Sequence, residues 1–543
     1  MTFGSTRSAF SIGAALAVSA SLLMLPGTAQ AETTLLPGTP LLKNLGITDQ
    51  VRDMVVAGGK VWVSSGNQVD VFSAAGVKLT TITGLLGTED LIASADGTSV
   101  YVAVSQDARI ATLSTTSMAQ TASWTTSPCP TRLALAGGRL FYGFGCTSDG
   151  AIGSVNPVDG TAGPTVAESL DDNPWLRGAG DTVVAMVQGI TPATVNSYHA
   201  NPDGTLTALA TTQLDRGGDF TLSPDGTLLL RSGDDGALRR YTTADLAVAG
   251  SFTMQNWTGA VAYSADGTHL AGAAASGVTG RDMFRVFDAS TEALTSRSIA
   301  TVDSNNPFGS VRAGTLQFAA DGKRLYGIAQ PVGGVARLVT ATTQAVTAGR
   351  ITATVTSPKK YGQKVAVRVT AGRANTKVTV TTTANGATST VSKVSNAAGT
   401  VTIPVTAKYS GTLRVTLAGD LTHAATTTSA RAFTVPAKLG FTVTGAYSTA
   451  GGLQHFHKGS AVKTWIRVSP NRSLTAKYTL QAKIAGKWKT VNTATLTAQG
   501  DNTNYFYFTT VTKHIHYRFV GTFAGDRYNA KAPVATSRTI IID

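Results

Sequence analysis

A few small sets among the 543 residues combine types and spacings that could do chemistry. The richest set is Arg52, Asp53, Asp90, Arg132, Asn173, Asp219, Ala260 and Thr315, which recur six or seven positions before regularly spaced glycines, with Trp175 and Trp257 close by. Arg and Asp hydrogen-bond hydroxyls and amides, and Trp stacks on a sugar or peptide face, so Arg52, Asp90, Arg132, Trp175, Asp219 and Trp257 are candidate ligand-binding residues. The opposing reading is that these residues pair with one another around a water-filled channel. A second set, Asp96, Asp225, Asp266 and Asp321, suggests paired-carboxylate catalysis, but each precedes a Gly in a turn sequence, where Asp caps its own backbone. Four of the seven histidines form His455-Phe-His457 and His514-Ile-His516. Residues i and i+2 share a strand face, so each pair presents two imidazoles to one metal. With no Cys or close carboxylate to complete either pair, a metal is not expected there. There is no nucleophile elbow, zinc-type His-Glu motif or phosphate loop, and neither a catalytic residue nor a cofactor is expected.

The elements that must carry these residues announce themselves by repetition. Seven times between Met54 and Tyr326 a hydrophobic strand runs into a Gly-containing turn and a second hydrophobic strand, as in Leu91-Ile-Ala-Ser-Ala-Asp-Gly-Thr-Ser-Val-Tyr. Gly supplies the positive φ of a tight hairpin turn. The marker glycines, Gly59, Gly97, Gly138, Gly180, Gly226, Gly267 and Gly322, are 38, 41, 42, 46, 41 and 55 residues apart. A period of about four short strands predicts propeller blades. Third strands follow most hairpins, such as Arg109 to Ser114 and Phe284 to Ser290. The candidate binding residues then stand where each innermost strand begins, at one end of a central channel, and the Asp-Gly turns stand dispersed at the opposite end.

Cys129 and Cys146 are the only cysteines. Their midpoint falls between Gly137 and Gly138, so a regular hairpin places them opposite each other at a non-hydrogen-bonded pair, where Cα atoms approach most closely. A structural disulfide bracing the binding end of the third hairpin is predicted.

Residues 1–31 read as a secretory signal: Arg7, an apolar stretch from Phe10 to Leu25, then Ala29-Gln30-Ala31 as a cleavage site. No later stretch is apolar enough for a transmembrane helix. The chain is therefore expected to be secreted, extracellular or cell-wall associated. From about Ala348 the texture turns to Thr, Val, Lys and Ala in two units of β-sandwich length. The expected fold is all-β: signal 1–31, a seven-bladed β-propeller at 32–347, and immunoglobulin-like sandwiches at 348–436 and 437–543. From Arg350 onward 25 Lys and Arg face four Asp, a net +21 that leaves −7 for the first 349 residues of a total of +14. Such a basic tail is attracted to polyanions such as cell-wall polymers, and charge alone licenses no specific nucleic-acid binding.

Two stretches carry a family resemblance. Tyr517-Arg518, Ala524-Gly525-Asp526-Arg527-Tyr528 and Ser537, with Gly486-Lys487-Trp488-Lys489-Thr490-Val491 upstream, resemble the immunoglobulin-like repeat domains of secreted actinobacterial proteins. The first unit shares the Ala418-Gly419-Asp420 element but has Thr422-His423 in place of the Tyr. The Ser-Pro/Ala-Asp-Gly hairpins resemble YVTN-type and Trp-Asp-type propeller repeats. The resemblance implies Trp488 as a framework residue and a fold that hosts many functions. The leading expectation is a secreted, non-enzymatic recognition protein whose propeller binds a cell-surface glycan or protein. The basic units serve as a spacer, or attach it to an anionic surface or partner. It fits an adhesin or the recognition subunit of a larger assembly such as an antibacterial toxin particle. The alternatives are a propeller enzyme of the lactonase or quinone-dependent dehydrogenase type and a structural cell-envelope component.

Overall fold

The computed structural model describes residues 35–543 except 147–149, 171–172, 188–191, 216–217, 234, 255–256, 276–281, 300–309, 500 and 508–513, with backbone alone at 166–169, 498–499 and 501–507. The secretory signal expected at 1–31 lies outside the described residues. Among the described residues every regular element is a β-strand.

Hydrophobic hairpins of six-residue strands cannot bury both faces alone, so they stack. Between Leu41 and Thr342 they do so as seven four-stranded antiparallel sheets, numbered 1 to 7 in the chain order of their first strands. Their first strands are Val51–Ala57, Thr88–Ala93, Pro130–Ala136, Trp175–Ala179, Phe220–Leu222, Thr258–Tyr263 and Gln317–Phe318. Each first strand contacts the first strand of the next sheet, and Gln317–Phe318 contacts Val51–Ala57, so the sheets close a ring. In sheets 1 to 6 the fourth strand follows the third in sequence. Sheet 7 instead takes its outer strand from the other end of the chain: Leu41–Asn44 pairs antiparallel with Arg337–Thr342. That pairing fastens the ring by joining residues about 300 positions apart without adding another sheet, which the repeat count does not reveal. The Gln317 side chain closes the same seam from inside, donating to the Met54 carbonyl and accepting from the Val56 amide.

All seven marker glycines have positive φ, from 56° at Gly180 to 75° at Gly226. This is the conformation that the hairpin turns require. Sheet 3 departs from the expected ladder. Arg132 pairs with Gly143, but Pro130 pairs with Phe144, a one-residue shift at the position where Pro cannot donate. The Cys129–Cys146 disulfide is formed, with Cα atoms 5.3 Å apart. It closes beyond the end of the ladder, with Cys129 at φ 57°, and not at the regular cross-strand pair that an unbroken register predicts.

After the ring, a three-stranded and a five-stranded sheet share one core, with Val367, Val380, Val415 and Phe433 buried between them. A further three-stranded and seven-stranded pair follows, filled by Phe441, Tyr478 and Phe519. Trp488 lies half-buried on the surface of the second pair under the Arg518 guanidinium, 4.2 Å from its ring centre.

The recurrent Ala-Gly-Asp element has one structural job in both places. In the first, Asp420 accepts from the Thr422 and His423 amides and is paired with Arg373. The loop it shapes hydrogen-bonds the strand that leaves the ring, Thr347 N to Thr422 O and Ala424 N to Thr347 O. In the second, Asp526 accepts from the Tyr528 and Asn529 amides and is paired with Arg472, and the Ala530 amide donates to the Val435 carbonyl. Asn529 is fully buried and donates across this second junction to the carbonyls of Lys408 and Val435. Each loop therefore clamps its own sheet pair to the segment that precedes it.

Candidate binding site at the ring axis

The starts of the first strands converge at one end of the ring, and the six sequence candidates separate there into two layers. The lower layer holds Asp90 and Asp219 with Asp53, all nearly inaccessible to solvent and lining a cavity of about 290 Å³. Each carboxylate stitches its sheet to the next. Asp53 Oδ2 accepts from the Leu91 amide at 2.9 Å, Asp90 Oδ2 from the Leu133 amide at 2.8 Å, and Asp219 Oδ2 from the Val261 amide at 3.1 Å. These bonds replace the water that the buried amides lost, and a charged acceptor makes them strong. Asp90 and Asp219 are thus committed to the architecture while they line the cavity.

Among them stands Arg177, whose guanidinium lies 3.9 Å from Asp90 and 3.8 Å from Asp219. Burial works against its charge, but Asp90, Asp219 and Asp53 outweigh that and hold its pKa above the ordinary arginine value. Asp53 goes the other way. Burial, then the neighbouring charge and hydrogen bond of Asp90, raises its carboxyl well above the usual range. Burial also raises Asp219, against the opposing pull of Arg177 and of amides including Gly314. Gly314, at φ 82°, brings the backbone before sheet 7 this close. An added Cβ would stand 3.2 Å from both Asp53 Oδ1 and an Arg177 nitrogen.

The upper layer is accessible. Arg132 joins the two layers, 3.6 Å from Asp90 with its guanidinium 4.2 Å from the centre of the Trp175 ring. Trp175 is half-buried against the core of sheets 4 and 5, so its stacking face is already used by Arg132. Trp257 is 70% exposed at the start of sheet 6. Arg52, with 45% of its side chain exposed, stands 3.9 Å from Glu89. Burial raises the Glu89 carboxyl, and Arg52 and Arg132 pull it back. Asn173 donates 3.0 Å to the Gly145 carbonyl and so ties the start of sheet 4 to the disulfide end of sheet 3. The two remaining positions, Ala260 and Thr315, are buried.

Sequence reasoning missed Arg177, Glu89 and Arg312. Arg177 shares a strand face with Trp175, two residues back, and inspection of alternate positions along that strand would have found it. Arg312 lies in the long spacer before Gly322, where no repeat position points to it.

At the other end of the ring the Asp-Gly turns are as expected. Asp96, Asp225 and Asp266 each accept from the preceding Ser hydroxyl and from the amide two residues on, and Asp321 accepts from the Lys323 amide. The histidine pairs hold a surprise: a close carboxylate does exist. Parallel pairing of Leu453–Phe456 with Thr539–Ile542 brings Asp543 Oδ2 to 2.9 Å from His455 Nδ1, and His514 Nδ1 lies 3.8 Å from Asp543 Oδ1. His457 stacks on Tyr447 at 4.0 Å, while His516 pairs with Ile541 in a strand ladder. Among the described residues no group of three or more such side chains is placed to hold a metal.

No family model and no curated protein matches the chain. Among solved structures, a chain of U3-55K aligns over 98% of its length and 55% of this chain, at 14% identity and a TM-score of 0.44. A chain of Kuenenia stuttgartiensis hydrazine synthase aligns over 97% of its length and 56% of this chain, at 14% identity and a TM-score of 0.41.

Proposed function

We propose that this chain is a secreted, non-enzymatic recognition protein. In this reading the ring of sheets is a seven-bladed β-propeller, and the two sheet pairs after it are immunoglobulin-like sandwiches that space it from an anionic surface or partner, or attach it there. The ligand is a cell-surface glycan or protein docking on the end of the ring where the first strands begin. The observation that carries the reading is Trp257, a large aromatic side chain left 70% exposed at the start of sheet 6, the end of the ring where the candidate residues lie. Leaving such a ring in water forfeits burial free energy, and a partner recovers it. The sequence pattern at residues 1–31 and the Cys129–Cys146 disulfide support export to an oxidising compartment.

The test is retention of the full chain on glycan arrays and on isolated cell walls. Trp257→Ala should lower retention about tenfold or more with an unchanged melting temperature, since a stacking aromatic contributes on that scale. Equal retention by variant and parent overturns the reading. Asp53, a carboxyl with a raised pKa lining a cavity beside Asp90, favours an enzyme as the second reading. Turnover of any hydrolysable substrate that vanishes in Asp53→Asn would install it in place of the first.

A further inference from the structure

The two layers at the ring axis hold their arginines differently. Below, Asp90 and Asp219 lie 3.6 to 3.9 Å from the guanidiniums of Arg132 and Arg177. Above, Arg52 stands 3.9 Å from Glu89, and Glu89 and Asp53 both act on the Arg312 guanidinium. Arg312 is half-buried. Burial, then repulsion by Arg52 and by Arg132, pulls its pKa below the ordinary arginine value, and Asp53 and Glu89 do not make up the difference. Its one side-chain hydrogen-bond partner of opposite polarity is neutral: the Gln50 amide oxygen, turned to face it, accepts at 2.9 and 3.3 Å. Gln50, Arg52 and Glu89 line a groove of about 180 Å³ whose exposed outer wall carries Asp49. Gly259, two residues after Trp257, packs so closely against the carbonyl of Val311, the neighbour of Arg312, that an added Cβ would come within 2.7 Å of it.

Like charges held together under partial burial cost free energy unless an opposite charge joins them. Resting on the recognition reading above, we propose that the ligand is an anionic saccharide, its carboxylate or phosphate held between Arg52 and Arg312 and its sugar face on Trp257. Paired guanidiniums match the planar fork of a carboxylate and the oxygens of a phosphate diester alike. The two sources differ in the rest of the molecule: a uronic acid residue offers a ring to Trp257, and a polyol phosphate does not.

The experiment is calorimetric titration of the full chain, at physiological salt to suppress attraction by the basic sheet pairs, with three probes. These are an oligoglucuronate, the same oligosaccharide after carboxyl reduction, and poly(glycerol phosphate). The parent should bind the oligoglucuronate about tenfold more tightly than its reduced form, the scale of a charge-assisted contact. Preference for poly(glycerol phosphate) over the oligoglucuronate overturns the saccharide, because that polymer offers no ring to Trp257. Arg312→Gln and the more exposed Arg52→Gln should each abolish the preference, so a folding defect in the first leaves the second to decide. Trp257→Ala should weaken the oligoglucuronate and its reduced form equally. Equal binding of anionic and reduced probes, still dependent on Trp257, overturns the anion and leaves recognition intact. A preference that survives both Arg variants also overturns it, because the charge then acts elsewhere. Binding of none of the three overturns the saccharide altogether.

Discussion

The ring places aspartates at both its ends, and the two ends treat them oppositely. Asp53 and Asp219, at the axis where the first strands begin, are buried, and burial raises their pKa. Asp96, Asp225 and Asp266, in the turns at the far end, stay in solvent while hydroxyl and amide donors lower theirs, Asp266 to about 2. All five hydrogen-bond to backbone amides, so that bond does not distinguish them. Desolvation does: it penalises the charged form more than one or two amide donors favour it. The same residue type is thus a strained link between sheets at one end and a relaxed turn cap at the other.

That contrast is most exposed to Asp219→Ala. The change strips a buried carboxylate from half-buried Arg177 and leaves the Val261 amide without its acceptor, so it should cost about 3–5 kcal/mol by denaturant unfolding. A loss below about 1 kcal/mol would mean that the axis is wetter than its burial indicates. Asp53→Asn sharpens the comparison through pH. A carboxyl with a raised folded pKa supports the fold fully below its unfolded value, and that support is lost as pH rises through the folded value. The neutral amide has no such loss. Thermal melts of variant and parent should therefore coincide below about pH 4, with the variant gaining relative to the parent as pH rises. Asp266→Asn should give the reverse, and the smallest effect. Its lowered pKa supports the fold above the unfolded value and is lost as pH falls toward about 2, so the variant should be weaker at neutral pH by no more than about 0.5 kcal/mol and equal in strong acid. Parallel pH profiles for the two variants would erase the distinction between the ends.

Much of this frame is legible in the chain. The glycine periods locate all seven hairpins, because a tight turn is a local demand met by adjacent residues. The count of six or seven positions before each glycine finds Asp53, Asp90 and Asp219, because strand alternation is local too. The spacing of Cys129 and Cys146 about Gly137-Gly138 gives the disulfide, while Pro130 shifts the register and moves the bond past the ladder. Arg177 escaped because its role comes from Asp90 and Asp219, 87 residues before it and 42 after. Leu41–Asn44 escaped because an outer strand with one partner carries little pattern of its own.

The sequence by itself determined where the chain turns, which residues alternate inward and which cysteines join, since each depends on neighbours a few positions apart. Tertiary structure alone decided which aspartates are pushed toward their neutral form and that Arg52 and Arg312 both come to act on Glu89. Those outcomes depend on desolvation and Coulomb energies among groups such as Asp53 and Leu91, 38 residues apart, that are brought together only when the ring closes.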